Sequence, residues 1–181
     1  MVLTRFGLKR LLFRPSLSPH AERFVLKGAM LMMTWFDVEN LRVERNREER
    51  QYGGLRLKTT ASISGSRISR TIDIGFGDAL EPDAEELSYP SLLEFPAPRL
   101  RGYARETVIA EKFQAMVALG RINTRMKDFY GICILSRSFT FEDNRLAEAI
   151  AATFERRKTM SPQDLPDAFT PTFAADDEKQ R

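Results

Sequence analysis

Apolar positions in this chain recur with two periods, near two through much of the first hundred residues and near 3.6 beyond them. Residues 4–13 place Phe6, Leu8, Leu11 and Leu12 close to helical spacing and stop at Arg14-Pro15, which predicts a short helix. Phe24-Val-Leu26 predicts a short strand that turns at Lys27-Gly28 into a helix over residues 29–36. Residues 41–45 alternate in a way compatible with a strand. The strongest local signal is residues 55–63, the turn Ser64-Gly-Ser66 and residues 68–76, which predict a hairpin of two long strands. In its second strand Ile72, Ile74 and Phe76 share one face, so Asp73 is expected on the other, beside Thr71 and Gly75.

Residues 77–98 carry Pro82, Pro90, Pro96 and Pro98 and read as an extended connection, after which 100–103 is compatible with one more strand. Three helices are then expected. Residues 105–119 place Ile109, Phe113, Met116 and Val117 on one stripe and close at Gly120. Residues 125–137 are expected to bury Met126, Phe129, Tyr130, Cys133 and Ile134, and residues 142–157 carry Leu146, Ile150 and Phe154. Residues 161–181, with three prolines and a charged end, are expected to be a disordered tail. Strands followed by helices predict an α/β (α+β) domain over 1–160, its small mixed sheet in a sheet-rich core at 22–104 and its helical part at 105–160.

Composition narrows the picture further. With 43% hydrophobic and 29% charged residues the chain has the make-up of a soluble globular protein, long enough for one sound core. No apolar run approaches the length of a membrane span. One cysteine excludes an internal disulfide and fits a reducing compartment, so a cytoplasmic location is expected. The net charge of +3 is too mild to argue for nucleic acid by itself. The basic cluster Arg42, Arg45, Arg47, Arg50, Arg56 and Lys58 is interleaved with Glu44, Glu48 and Glu49 and reads as a solvated surface. His20 is the only histidine, which leaves little material for Ser-His, Cys-His or zinc chemistry.

Five phrases taken together are more specific: Phe24-Val-Leu-Lys-Gly28, Gln51-Tyr-Gly-Gly-Leu55, Ile72-Asp-Ile-Gly-Phe-Gly-Asp78, Ala110-Glu-Lys112 and Arg125-Met-Lys-Asp-Phe-Tyr130. In this order they resemble the AbiEii/AbiGii family of nucleotidyltransferase toxins, of the polymerase-beta-like superfamily, from about residue 3 to about residue 175. The resemblance implies a nucleotidyltransferase-like core and transfer of a nucleotide from a nucleoside triphosphate to an acceptor such as tRNA. It also implies Mg2+ as cofactor and an AbiEi-like antitoxin as partner.

Residue by residue, Asp73 matches a metal-holding catalytic carboxylate, Lys27 and Gly28 the nucleotide-binding turn, Lys112 the phosphate-contacting lysine and Asp128 an acid of the active site. The resemblance further implies that these residues line one cleft near the Lys27-Gly28 turn. Two departures stand out. The family's Asp-x-Asp strand is missing: Asp37-Val-Glu39 lacks its apolar neighbours and reads as the junction of an internal deletion. The second acid of the last motif is Gly131. Impaired transfer is therefore expected, and the rival expectation is a non-catalytic remnant that binds a partner protein or RNA.

Overall fold

The computed structural model describes residues 2–28, 31, 54–63, 66–90, 94–177 and 179. Most of the expected helix at 29–36, the strand at 41–45, and the Asp37/Glu39 junction lie outside these residues, as does most of the basic cluster. The described elements are mixed α and β, with a small mixed sheet as expected. They form two compact units, one comprising residues 1–78 and 85–102, the other 79–84 and 103–181.

In the first unit, helix α1 (Val2–Ser16) runs through Pro15 rather than ending before it. A proline in the last turn removes only one terminal hydrogen bond, and the Ser16 hydroxyl donates back to the Phe13 carbonyl there at 2.8 Å. Phe6 of this helix meets Phe95 at a centroid separation of 5.6 Å. Strands β1 (Val25–Leu26), β4 (Glu85–Ser88) and β5 (Arg99–Gly102) form one sheet, with β5 in the middle, parallel to β1 and antiparallel to β4. Strand β4 thus interrupts the connection expected to lack regular structure. Gly102 ends β5 against Leu87 and the fully buried Leu31.

Strands β2 (Gly54–Ile63) and β3 (Ser66–Gly75) form the expected antiparallel hairpin, with Leu57 opposite Ile72 and Arg56 opposite Asp73. Exposure alternates along the end of β3: Ile72 and Ile74 are half-buried, whereas Asp73 and Gly75 are exposed. Asp73 therefore lies on the face away from the isoleucines. Phe76, expected with them, is 60% exposed, because the strand ends at Gly75 and the alternation ends with it.

In the second unit, α2 (Arg105–Leu119) packs against α3 (Met126–Ser138) and α4 (Asp143–Arg156). Two neighbours bury α2 over a wider arc than one stripe: Thr107, Val108, Ile109, Ala110, Gln114, Ala115 and Met116 are buried, while Phe113 and Val117 are half-buried. Arg157, just beyond α4, ties it to α2 through Glu111 Oε1 at 2.7 Å and Gln114 Oε1 at 3.0 Å. On α4, Ala149, Thr153 and Phe154 are buried, and Leu146 and Ile150 half-buried.

Helix α3 departs most from expectation. It buries Asp128, Gly131 and Leu135, whereas Tyr130 is 69% exposed and Cys133 is also exposed. The segment expected to be a disordered tail folds back on the same unit. Thr170 caps the short helix α5 (Pro171–Ala174) by accepting from the Phe173 amide, and Pro171 occupies its first turn. Ala168 and Phe173 are buried, and Phe129 stacks on Phe173 at 5.4 Å. Apolar anchors spaced between the prolines supply the burial that composition alone concealed.

Candidate functional site

The residues singled out by motif fall into two groups, one in each unit. In the first unit the parallel pairing of β1 with β5 delivers the chain to Lys27 and Gly28. Gly28 adopts φ +73, a left-handed conformation that costs a side-chain-bearing residue about 1 kcal/mol. Its carbonyl accepts from the Leu31 amide at 3.0 Å, turning the chain. The Lys27 ammonium reaches Asp78 Oδ2 at 2.6 Å, both side chains being about a quarter exposed. The same nitrogen lies 3.4 Å from where a Cβ on Gly75 would stand.

Gly75 and Asp73 point to one face, two residues apart on a strand, about 7 Å along it. The lysine amine therefore comes onto the Asp73 face, and Gly75 leaves the space for it. Lys27 and Asp78 form an ion pair at the end of β3, and Asp73 lies on the same face of the strand as Gly75. Asp78 was not singled out as a site residue by the sequence, since the contact spans 51 residues. Its one local signal is Gly77 at φ +69, which turns the strand end back toward Lys27.

In the second unit Lys112 of α2 donates to Asp128 Oδ1 of α3 at 2.8 Å. Asp128 is 2% exposed. Arg125 Nε stands 2.8 Å from its other oxygen, close enough for an ion pair. The N–H is misaligned, however, and neither Arg125 Nε nor Oδ2 gains a hydrogen bond. Two cations thus flank one buried carboxylate and leave the group with one net positive charge. Asn123, fully buried, steadies the start of α3 by accepting the Arg125 amide at 2.8 Å.

Gly131 makes this arrangement possible. A Cβ there would stand 2.8 Å from Lys112 Cε and 3.2 Å from its Nζ, so the lysine stem crosses α3 where a side chain would be. Gly131→Ala sets a helix-propensity gain of about 0.5–1 kcal/mol against displacement of Lys112 from a buried partner. The second effect is larger, about 3 kcal/mol when such a partner is lost outright. The expected net result is a destabilisation of about 1–2 kcal/mol, read from urea unfolding. Stabilisation by the substitution would show that Lys112 re-routes freely.

Among the described residues no group of three or more His, Cys, Asp or Glu side chains is placed to hold a metal ion. Asp78 is engaged by Lys27, and Asp128 by Lys112 and Arg125. The described acids thus do not compose a two-ion magnesium centre. His20 and Cys133 are both exposed and lie in different units.

A family model described as nucleotidyl transferase AbiEii toxin, Type IV TA system, matches residues 37–181. The chain belongs to this family. Its function is accordingly of the toxin–antitoxin nucleotidyltransferase type. No curated protein and no solved structure matches the chain. The matched residues hold Asp73, Lys112 and Asp128, while Lys27 and Gly28 precede them. The match begins at Asp37. Among the described residues, no helix is long and apolar enough to cross a membrane.

Proposed function

We propose that this AbiEii-family chain binds a nucleoside triphosphate and transfers its nucleotide to an RNA acceptor such as tRNA, at a rate much reduced by missing carboxylates. In such a transfer an acceptor hydroxyl oxygen bonds to the α-phosphorus, pyrophosphate leaves, and the hydroxyl proton passes to a base or solvent. The observation carrying the proposal is the Lys112–Asp128–Arg125 group: a buried acid fixes two cations whose net charge suits a phosphate. Lys112 keeps two further N–H donors and Arg125 its terminal nitrogens, so both have capacity for phosphate oxygens. In the other unit the resemblance assigns Lys27 and Gly28 to nucleotide binding and Asp73 to catalysis, where a carboxylate can take a proton.

Magnesium is the metal that the resemblance implies, but the described acids do not form a site for it. That same observation favours a second reading, a non-catalytic remnant that retains binding only.

The test incubates purified protein with labelled nucleoside triphosphates, magnesium and bulk tRNA, beside Asp73→Ala, and measures triphosphate binding separately. Binding with incorporation only slightly above the Asp73→Ala background is expected. Incorporation indistinguishable from that background supports the remnant. Rapid Asp73-dependent incorporation removes the impairment, and absence of triphosphate binding overturns the nucleotide reading.

A further inference from the structure

Helix α3 presents an outer face that the Lys112–Asp128 group does not use. At about 100° per residue, Lys127, Tyr130, Cys133, Ile134 and Arg137 fall within one arc of about 120°. Lys127, Tyr130, Cys133 and Arg137 are exposed, Tyr130 at 69%. Among the described residues, the side chains of Lys127, Tyr130 and Arg137 make no hydrogen bond, ion pair or ring contact. The face bears no acid, because the one acid of α3, Asp128, is turned inward. Arg121, just upstream, adds an exposed cation.

The neighbouring α4 shows what an ordinary solvated face of this chain looks like. Its exposed positions mix Asp143, Arg145, Glu148, Glu155 and Arg156. A chain with 25 acids and 28 bases would be expected to place some acid among the exposed positions of a 13-residue helix, and α3 places none. An uncovered phenol ring between unpaired cations has the make-up of a surface that stacks a base and tracks phosphates.

From Lys127 to Arg137 the helix rises about 15 Å, with Tyr130 nearer the first. That length suits a short single strand, whose bases are open to stacking, better than a duplex, whose bases are hidden. We infer that the outer face of α3 binds single-stranded RNA, with one base stacked on Tyr130 and flanking phosphates on Lys127 and Arg137. The inference rests on the reading that the acceptor is RNA, and names the surface that would hold its unpaired end.

The test is fluorescence anisotropy of a labelled single-stranded oligoribonucleotide of about ten nucleotides on the full chain, across a salt series. Triphosphate binding is measured on the same preparation. Tyr130→Ala is expected to weaken RNA binding about tenfold, within the range for losing one stacked base. Tyr130→Phe should retain it, because the ring carries the contact. Lys127→Gln with Arg137→Gln should flatten the slope of log K against log salt by about 1.4, two single-strand phosphate contacts.

Circular dichroism melting shows whether each variant is folded; these exposed positions carry little packing. Unchanged affinity in folded Tyr130→Ala overturns the inference, as does tighter binding of duplex RNA than of the single strand. Stronger binding of poly-glutamate than of the RNA also overturns it, in favour of an acidic protein partner. Triphosphate binding without RNA binding defeats this inference alone. Absence of both defeats the proposed function as well.

Discussion

Lys112→Met is expected to lower the stability of the helical unit by about 3 kcal/mol, the lower end of what breaking a buried ion pair costs. Asp128 is 2% exposed, and Lys112 is its hydrogen-bonding partner at 2.8 Å. Arg125 remains within 2.8 Å, which keeps the loss from being larger, but its misaligned N–H does not replace the bond to Oδ1. Removing the acid as well reverses most of the loss, since apolar side chains of similar volume in place of a buried pair are often neutral. The double variant Lys112→Met with Asp128→Leu should therefore unfold close to the parent midpoint in urea, with the coupling read from the double-mutant cycle.

Triphosphate binding should not recover with it. A folded double variant that binds no triphosphate would separate the structural work of this pair from its chemical work. A loss below about 1 kcal/mol in Lys112→Met would place the pair with surface bridges and remove the argument that burial fixes the two cations.

The same buried acid explains why α3 was hard to read from sequence. Hydropathy ranks Tyr130 and Cys133 as core and Asp128 as surface. The ion pair to Lys112, 16 residues away, turns Asp128 inward. Tyr130 stands two positions on, about 200° around the helix, and is carried outward with the rest of that face. Periodicity reports the average partner of a face as apolar; it does not register a charge whose partner lies on another helix. The hairpin was legible because its signal is local. Alternation along the two strands specifies the register, which puts Arg56 opposite Asp73.

The candidate site was legible as residue types and not as contacts. Lys27, Asp73, Lys112 and Asp128 came from motif resemblance, while Asp78 and Arg125 enter only once the fold brings them within 2.6 and 2.8 Å of their partners. Gly131 is the sharpest case. By motif it stands for a lost acid, whereas in the fold it is the gap through which Lys112 passes. The packing of residues 167–174 escaped for a different reason. Its apolar anchors, Ala168, Phe169 and Phe173, are too few for a periodic signal but sufficient against the exposed edges of Phe113 and Phe129.

Gly102→Ala should cost the sheet-bearing unit about 3 kcal/mol, the upper end of ordinary overpacking. An added Cβ would stand 2.2 Å from Leu87 Cδ1 and 2.8 Å from Leu31 Cδ1. The backbone has little room to yield, because β5 is hydrogen-bonded to β1 on one side and β4 on the other. Leu31 is fully buried, so its rotation must displace other core atoms. The gain in strand propensity from replacing glycine, at most about 1 kcal/mol, does not offset contacts this short. Leu87→Ala in the same chain removes the closer clash, so the double variant should lose less than the two single losses added together.

The effect should also reach the candidate site. Leu26 is paired with Gly102 and is followed at once by Lys27 and Gly28, so a shifted β5 moves the turn that holds Lys27 against Asp78 at 2.6 Å. Weaker triphosphate binding in folded Gly102→Ala, partly restored by Leu87→Ala, is the expected pattern. A Gly102→Ala variant within about 1 kcal/mol of the parent would mean that the leucines repack without strain, and that β1 is not held in place by the closeness of this contact.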